Sequence, residues 1–95
     1  METVTRGELA ARAAVRAEVD HSTANAVLGA LLEEMQSAVA GGERVTLTGF
    51  GTFEARERQA TTTRNPKTGA PIEIPARKVP AFKAGTPFKA RVADA

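Results

Sequence analysis

The stretch Arg64-Asn65-Pro66-Lys67-Thr68-Gly69-Ala70-Pro71-Ile72-Glu73-Ile74-Pro75 constrains this chain more than any other. Asn-Pro opens a turn, because the pyrrolidine ring fixes φ at Pro66 and pushes the preceding residue out of the helical region. Gly69 lacks a Cβ and supplies the positive φ that ends such a turn. Ile72 and Ile74 then alternate with Glu73, which is strand spacing. The prediction is the tip and returning strand of a long hairpin. Arg64 and Lys67 bracket the proline, so the tip is basic and displays one rigid apolar ring. That chemistry fits the DNA minor groove, where cations meet phosphates and an apolar wedge enters between base steps.

The flanks support an arm. Gln59 to Thr63 is polar with no buried-face pattern. An extended strand from Glu54 to Arg64 spans roughly 33 Å at about 3.3 Å per residue, more than a small compact domain covers. Pro71, Pro75 and Pro80 confine the returning strand to an edge or irregular position, as in a free two-stranded ribbon. Arg77, Lys78 and Lys83 bring it home as a basic strip. The charge balance agrees. Residues 1–54 carry four basic and eight acidic side chains, whereas residues 55–95 carry nine basic and three acidic ones. The second half is the candidate polyanion-binding part, a segregation that solubility alone does not require.

Upstream, Thr5-Arg6-Gly7-Glu8 has the form of a capping box. Leu9, Ala10, Ala13, Ala14 and Ala17 follow at helical spacing, and this helix should end near Glu18. Asp20 is a good N-cap for a second helix. Ala24, Val27, Leu28, Leu31, Leu32, Met35 and Val39 form one apolar stripe along it, and Gly41-Gly42 stop it. Gly29 costs this helix about 1 kcal/mol against Ala; it marks either a close helix crossing or a tolerated defect. Two helices joined by a tight turn also suggest a helix-turn-helix. The only charged residues of the second helix are Glu33 and Glu34, however, where a recognition helix should be basic. Its broad stripe asks for a partner helix, so core packing is the better reading.

Glu43 to Thr48 reads as a strand, Gly49-Phe50-Gly51 as a tight turn and Thr52 to Arg58 as a second strand. Thr86-Pro87 is a plausible cap and first position for a last short helix through Val92. All four aromatics are phenylalanines, at 50, 53, 82 and 88. Without a polar handle they suit a core and a dimer interface rather than base stacking. A chain of 95 residues buries a modest core, and dimerisation is a natural way to enlarge it.

Taken together, R-N-P-K-T-G-x-P-I-x-I-P, preceded by G-F-G-T-F at 49–53 and followed by K-V-P-A-F-K-A-G at 78–85, resembles the bacterial histone-like HU/IHF proteins, most closely the HU branch. The likeness runs without obvious gaps from about Val4 to Val92. It implies an α+β intertwined homodimer with a helical base, a β-sheet saddle, two extended ribbon arms and a short C-terminal helix. Residues 1–95 then form one domain: a helical dimerisation region at 1–42, saddle strands at 43–83 with the arm at about 55–75, and a C-terminal helix and tail at 84–95. The implied partner is double-stranded DNA, bent and compacted as Pro66 intercalates from the minor groove. Asn65 belongs to the tip motif, Arg64 and Lys67 hold the tip, and Arg56, Arg58, Arg77, Lys78 and Lys83 contact phosphates. Arg6, His21 and Lys89 fall at flanking phosphate contacts. The implied dimer core holds Leu31, Leu32, Met35, Phe50, Phe53 and Phe82.

Two departures stand out. His21 replaces the usual lysine. Thr61-Thr62-Thr63 replaces basic residues before the tip, so the arm neutralises fewer phosphates.

Other chemistry finds little support. There is no cysteine, hence no disulfide and no thiolate metal site. No zinc pattern or phosphate-binding glycine loop occurs, and one histidine without a paired nucleophile is a surface residue rather than a catalyst. The expectation is a non-enzyme without cofactor or metal. No apolar run suits a bilayer and no signal-peptide pattern opens the chain, so the expected location is cytoplasmic and nucleoid-associated. Two alternatives are a sequence-specific, IHF-like factor, and a module on the same fold that binds RNA or protein.

Overall fold

A computed structural model describes residues Met1–Ala95 as α1 (Arg6–Ala17), α2 (His21–Ala40), β1 (Val45–Leu47), β2 (Gly51–Arg58), β3 (Thr61–Arg64), β4 (Pro71–Ile74), β5 (Arg77–Ala84) and α3 (Thr86–Ala93). The chain divides into two compact units, Met1–Ser37 and Ala38–Ala95.

In the first unit, local chemistry sets the helix ends where the sequence puts them. Thr5 Oγ1 accepts the Glu8 N–H at 3.3 Å, which caps α1. Glu18 ends it in the left-handed region at φ 57°, and its N–H reaches back to the Ala14 and Val15 carbonyls. Asp20 Oδ1 accepts the Thr23 N–H at 2.7 Å at the start of α2. Bonding to Thr23, by its hydroxyl and then its N–H, holds the Asp20 carboxyl below its ordinary pKa. His21 Nε2 donates to the Gly7 carbonyl at 3.3 Å. At Gly29 a Cβ would lie 2.7 Å from Arg6 Nη2, the far end of a flexible side chain that can swing aside, and no other group crowds the position.

Very little of this chain is enclosed. Ala10 and Ala14 are the buried apolar residues, and no large side chain is fully buried. Along the α2 stripe, Val27 is 54% and Leu31 55% exposed.

In the second unit, β1, β2 and β5 form an antiparallel sheet in the order β1-β2-β5. Gly49, at φ +82°, turns β1 into β2. Gly51 must be glycine, since a Cβ would sit 2.5 Å from Phe82 Cε1 and 2.6 Å from the Lys83 carbonyl oxygen. Pro80 lies in β5, an edge strand, where its missing N–H is tolerated. At the end of β5, the Gly85 N–H bonds to the Phe50 carbonyl at 2.8 Å and the Gly85 carbonyl accepts the Lys89 N–H at 3.0 Å. The cap of α3 is therefore Gly85 rather than Thr86, which becomes the first helical residue. Strand pairing fixes Gly85 as extended, at φ −74° and ψ 160°, and that places the cap one residue early.

The arm is one hairpin made of two ladders. β2 pairs with β5 from Gly51↔Ala84 to Arg58↔Arg77, and β3 pairs with β4 from Thr61↔Ile74 to Arg64↔Pro71. The expected continuous strand is interrupted at Gln59-Ala60 and Pro75-Ala76. Pro75 has no N–H to give. The register is the same on both sides of the gap, so no residue is inserted.

A candidate nucleic-acid interface

The six-residue loop between Arg64 and Pro71 is held by its own polar groups. The Asn65 N–H bonds to the Ala70 carbonyl at 2.9 Å, and the Gly69 N–H bonds back to the Asn65 carbonyl at 2.7 Å. Asn65 Oδ1 accepts the Lys67 N–H at 2.9 Å, and Thr68 Oγ1 accepts the Ala70 N–H at 3.2 Å. Gly69 takes φ +73°, as expected. Half-buried Asn65 thus acts as the post on which the loop turns, while Arg64, Pro66 and Lys67 are exposed. Pro66 has no donor to satisfy, so an apolar ring stands at the apex of a loop in which the Asn65, Lys67, Gly69 and Ala70 N–H groups are bonded within the loop.

On the three-stranded sheet, strand alternation decides which cations act together. Phe53↔Phe82, Ala55↔Pro80 and Glu57↔Lys78 share one face. Thr52↔Lys83, Glu54↔Ala81, Arg56↔Val79 and Arg58↔Arg77 share the other. The basic strip expected from Arg77, Lys78 and Lys83 is therefore split. Arg77 and Lys83 join Arg56 and Arg58 on the polar face, whereas Lys78 sits opposite Glu57 on the face of the phenylalanines. Arg58 directly faces Arg77, a like-charge pair that costs about 0.2–1 kcal/mol until an anion lies between.

One member of this face escaped the sequence reading. Arg44 Nε lies 3.2 Å from Glu54 Oε2, and Arg56 Nε lies 3.6 Å from Glu54 Oε1. Arg44 precedes Val45, the partner of Phe53, so it falls opposite Glu54. Counting strand parity back from the phenylalanine face would have found it.

The apolar face carries the aromatic cluster. Phe53 and Phe82 centroids are 4.6 Å apart, and Phe50 stacks on Phe88 at 5.1 Å and 11°. Phe88, read from sequence as a core residue with the other three phenylalanines, joins this cluster through α3. Phe50 and Phe82 remain 43% and 41% exposed, and Phe53, Leu32 and Met35 are half-buried. Lys89 is exposed on α3, and Arg6 rests beside Gly29 on the helical unit. No cluster of His, Asp or Glu with metal-ligating geometry is present, and no helix is long and apolar enough to cross a membrane.

Residues 4–93 match the family model described as bacterial DNA-binding protein. The chain belongs to that family. Similar members include the DNA-binding protein HU of Nostoc sp., 51% identical over 90 residues, covering 95% of this chain and 96% of the relative. The DNA-binding protein HU of Staphylococcus aureus is 50% identical over 76 residues, covering 80% and 84%. Among solved structures, an Anabaena HU–DNA cocrystal superposes with a TM-score of 0.88 at 50% identity, covering 96% of this chain and 99% of that one. An HU variant from Thermotoga maritima gives a TM-score of 0.69 at 30% identity, covering 93% and 97%. The α+β fold expected from the HU branch is the fold observed.

Proposed function

We propose that this chain is a histone-like DNA-binding protein that works as a homodimer and bends the duplex with little sequence preference. The observation that carries this is the arm tip: an exposed proline ring on a loop held by its own hydrogen bonds, between Arg64 and Lys67. The ring enters the minor groove between base steps. The unstacking it costs is offset by contacts that the bent duplex makes with the cationic sheet face. Arg56, Arg58, Arg77 and Lys83 meet phosphates there, and Arg6 and Lys89 add flanking contacts. Lys78, facing Glu57, contributes least. Phosphate contacts carry no sequence information, so deformable DNA is preferred over any particular sequence. The same inventory supports a nucleoid location and a non-catalytic role.

The dimer follows from exposure. A Leu or Phe left uncovered forgoes about 1.5–3 kcal/mol, and this chain leaves Val27, Leu31, Phe50 and Phe82 more than 40% exposed. Residues 1–42 serve as the dimerisation region, and a second copy covers Leu31, Leu32, Met35, Phe50, Phe53 and Phe82. Sedimentation should find a dimer at micromolar concentration; a stable folded monomer would refute this.

The decisive experiment on the arm is Pro66→Ala, read by end-to-end energy transfer on a labelled duplex. Bending should fall more than affinity, since Arg64 and Lys67 stay in place. A normal bend at normal affinity would confine Pro66 to shaping the turn.

A further inference from the structure

Glu54 is an odd residue to find in the middle of a cationic face meant for a polyanion. About three-quarters of its side chain is covered, with 26% exposed, and each oxygen faces an arginine. Oε2 faces Arg44 Nε and Oε1 faces Arg56 Nε. In both arginines the contacting atom is the inner Nε, which leaves the terminal Nη groups free of this partner. The two guanidinium side chains remain 68% and 58% exposed. An arginine presents five donors in a rigid fork, and the hydrogen bond from Arg44 Nε sets the direction of its remaining ones, while Arg56 is drawn toward the same carboxylate as an ion pair. On the same face Thr46 and Thr52 pair through their hydroxyls at 3.4 Å, and Lys83 stands opposite Thr52.

We infer that Glu54 is a positioning residue, and that Arg44, hydrogen-bonded to it at Nε, and Arg56, ion-paired with it at 3.6 Å, form a two-pronged clamp for a DNA backbone phosphate. The inference rests on the proposed DNA-binding function and extends it to Arg44, which lies outside the arm and the basic second half of the sequence. The carboxylate also lowers the charge of the face. The triad keeps a net charge of one plus, so the face is less attractive to anions in general and better shaped for a phosphate that fits between the prongs. Bidentate arginine contacts to phosphate are among the stronger charge-assisted hydrogen bonds.

The clamp and a mere charge balance predict opposite signs for one substitution. Glu54→Gln removes two negative charges per dimer. If Glu54 only neutralises, the variant binds DNA more tightly than the wild type at every salt concentration. If Glu54 positions the arginines, the variant binds about threefold or more weakly despite its higher positive charge, because a neutral amide no longer attracts Arg56 and accepts from Arg44 less strongly than a carboxylate does. Arg44→Ala should reduce the slope of log affinity against log salt by up to about 1.8, at about 0.9 for each phosphate that the dimer no longer neutralises. In the Arg44→Ala background, the effect of Glu54→Gln should shrink. The experiment is a salt titration of duplex binding by fluorescence anisotropy, with circular dichroism confirming that each variant folds. Tighter or unchanged binding by Glu54→Gln overturns the inference, as does an unchanged slope for Arg44→Ala. A wild-type protein without salt-dependent DNA binding would instead refute the proposed function, and the clamp with it; the wild-type titration therefore separates the two failures. Arg44→Lys is a further check on geometry. It keeps the charge but not the fork, so the clamp predicts weaker binding with little change of slope, and full affinity for this variant overturns it.

Discussion

Restoring charge to the arm gives a quantitative test of how the ribbon meets DNA. Thr61 and Thr62 are both exposed on β3, yet their cross-strand partners differ: Thr61 stands opposite Ile74, and Thr62 opposite Glu73. The substitutions Thr61→Arg and Thr62→Lys together add four positive charges per dimer. Counted naively, each neutralised phosphate steepens the salt slope by about 0.9, giving a ceiling of about 3.6. The register lowers that ceiling. A lysine at 62 faces the Glu73 carboxylate directly, and opposite charges across a strand pair attract. Its neutralising power is therefore largely taken up within the ribbon. Thr61→Arg meets no acid across the strand, so it alone should steepen the slope by about 1.8. Over a salt range of about 50 to 200 mM, that is an extra fall in affinity of about 12-fold. Thr62→Lys alone should change the slope little, and adding Glu73→Gln should release its effect. Anisotropy titrations of a linear duplex at several salt concentrations supply the slopes. If Thr61→Arg leaves the slope unchanged, this part of the ribbon does not lie along the DNA backbone, and the embrace by the arms fails for it.

Three further expectations come from the sheet and the helix cap. Lys83→Ala should lower the salt slope by up to about 1.8 per dimer while Lys78→Ala lowers it much less; equal effects would show that strand parity does not govern which cations meet DNA. Gly51→Ala should destabilise the protein by about 1–3 kcal/mol, the usual cost of overpacking, because a new methyl meets the Lys83 carbonyl and the Phe82 ring; an unaltered thermal midpoint would contradict the crowding. Asp20→Asn should flatten the acid limb of stability. The Asp20 pKa is depressed in the folded chain from its ordinary 3.8, so its contribution is present above the unfolded value and is lost as pH falls through the folded one. Thermal midpoints measured across that range would test it, and an identical acid dependence in both proteins would argue against the Thr23 contact.

How much of this was legible in the chain depends on the range over which each cause acts. Helix ends were readable because Thr5 and Asp20 act within three residues of themselves. The tip was readable because Pro66 and Gly69 impose backbone angles locally. The cap of α3 was misplaced by one residue because it is set by a hydrogen bond from Gly85 to Phe50, which comes from distant sequence. The division of the basic strip follows from alternation along the single strand Arg77–Ala84, and the register adds which face carries the phenylalanines. Arg44 was invisible because its partner, Glu54, lies across a strand pair. Nearly all of the candidate site was nevertheless visible as residue type and order, because its chemistry is concentrated in one hairpin.

That Ala10 and Ala14 are the buried apolar side chains, with no large one fully enclosed, has a consequence for how such a protein lives. A chain with so little interior of its own has no resting form to wait in. Synthesis of one copy must be followed by capture of another before proteases or aggregation intervene. Folding then becomes a second-order process, its melting temperature rises with protein concentration, and dilution is itself a denaturant.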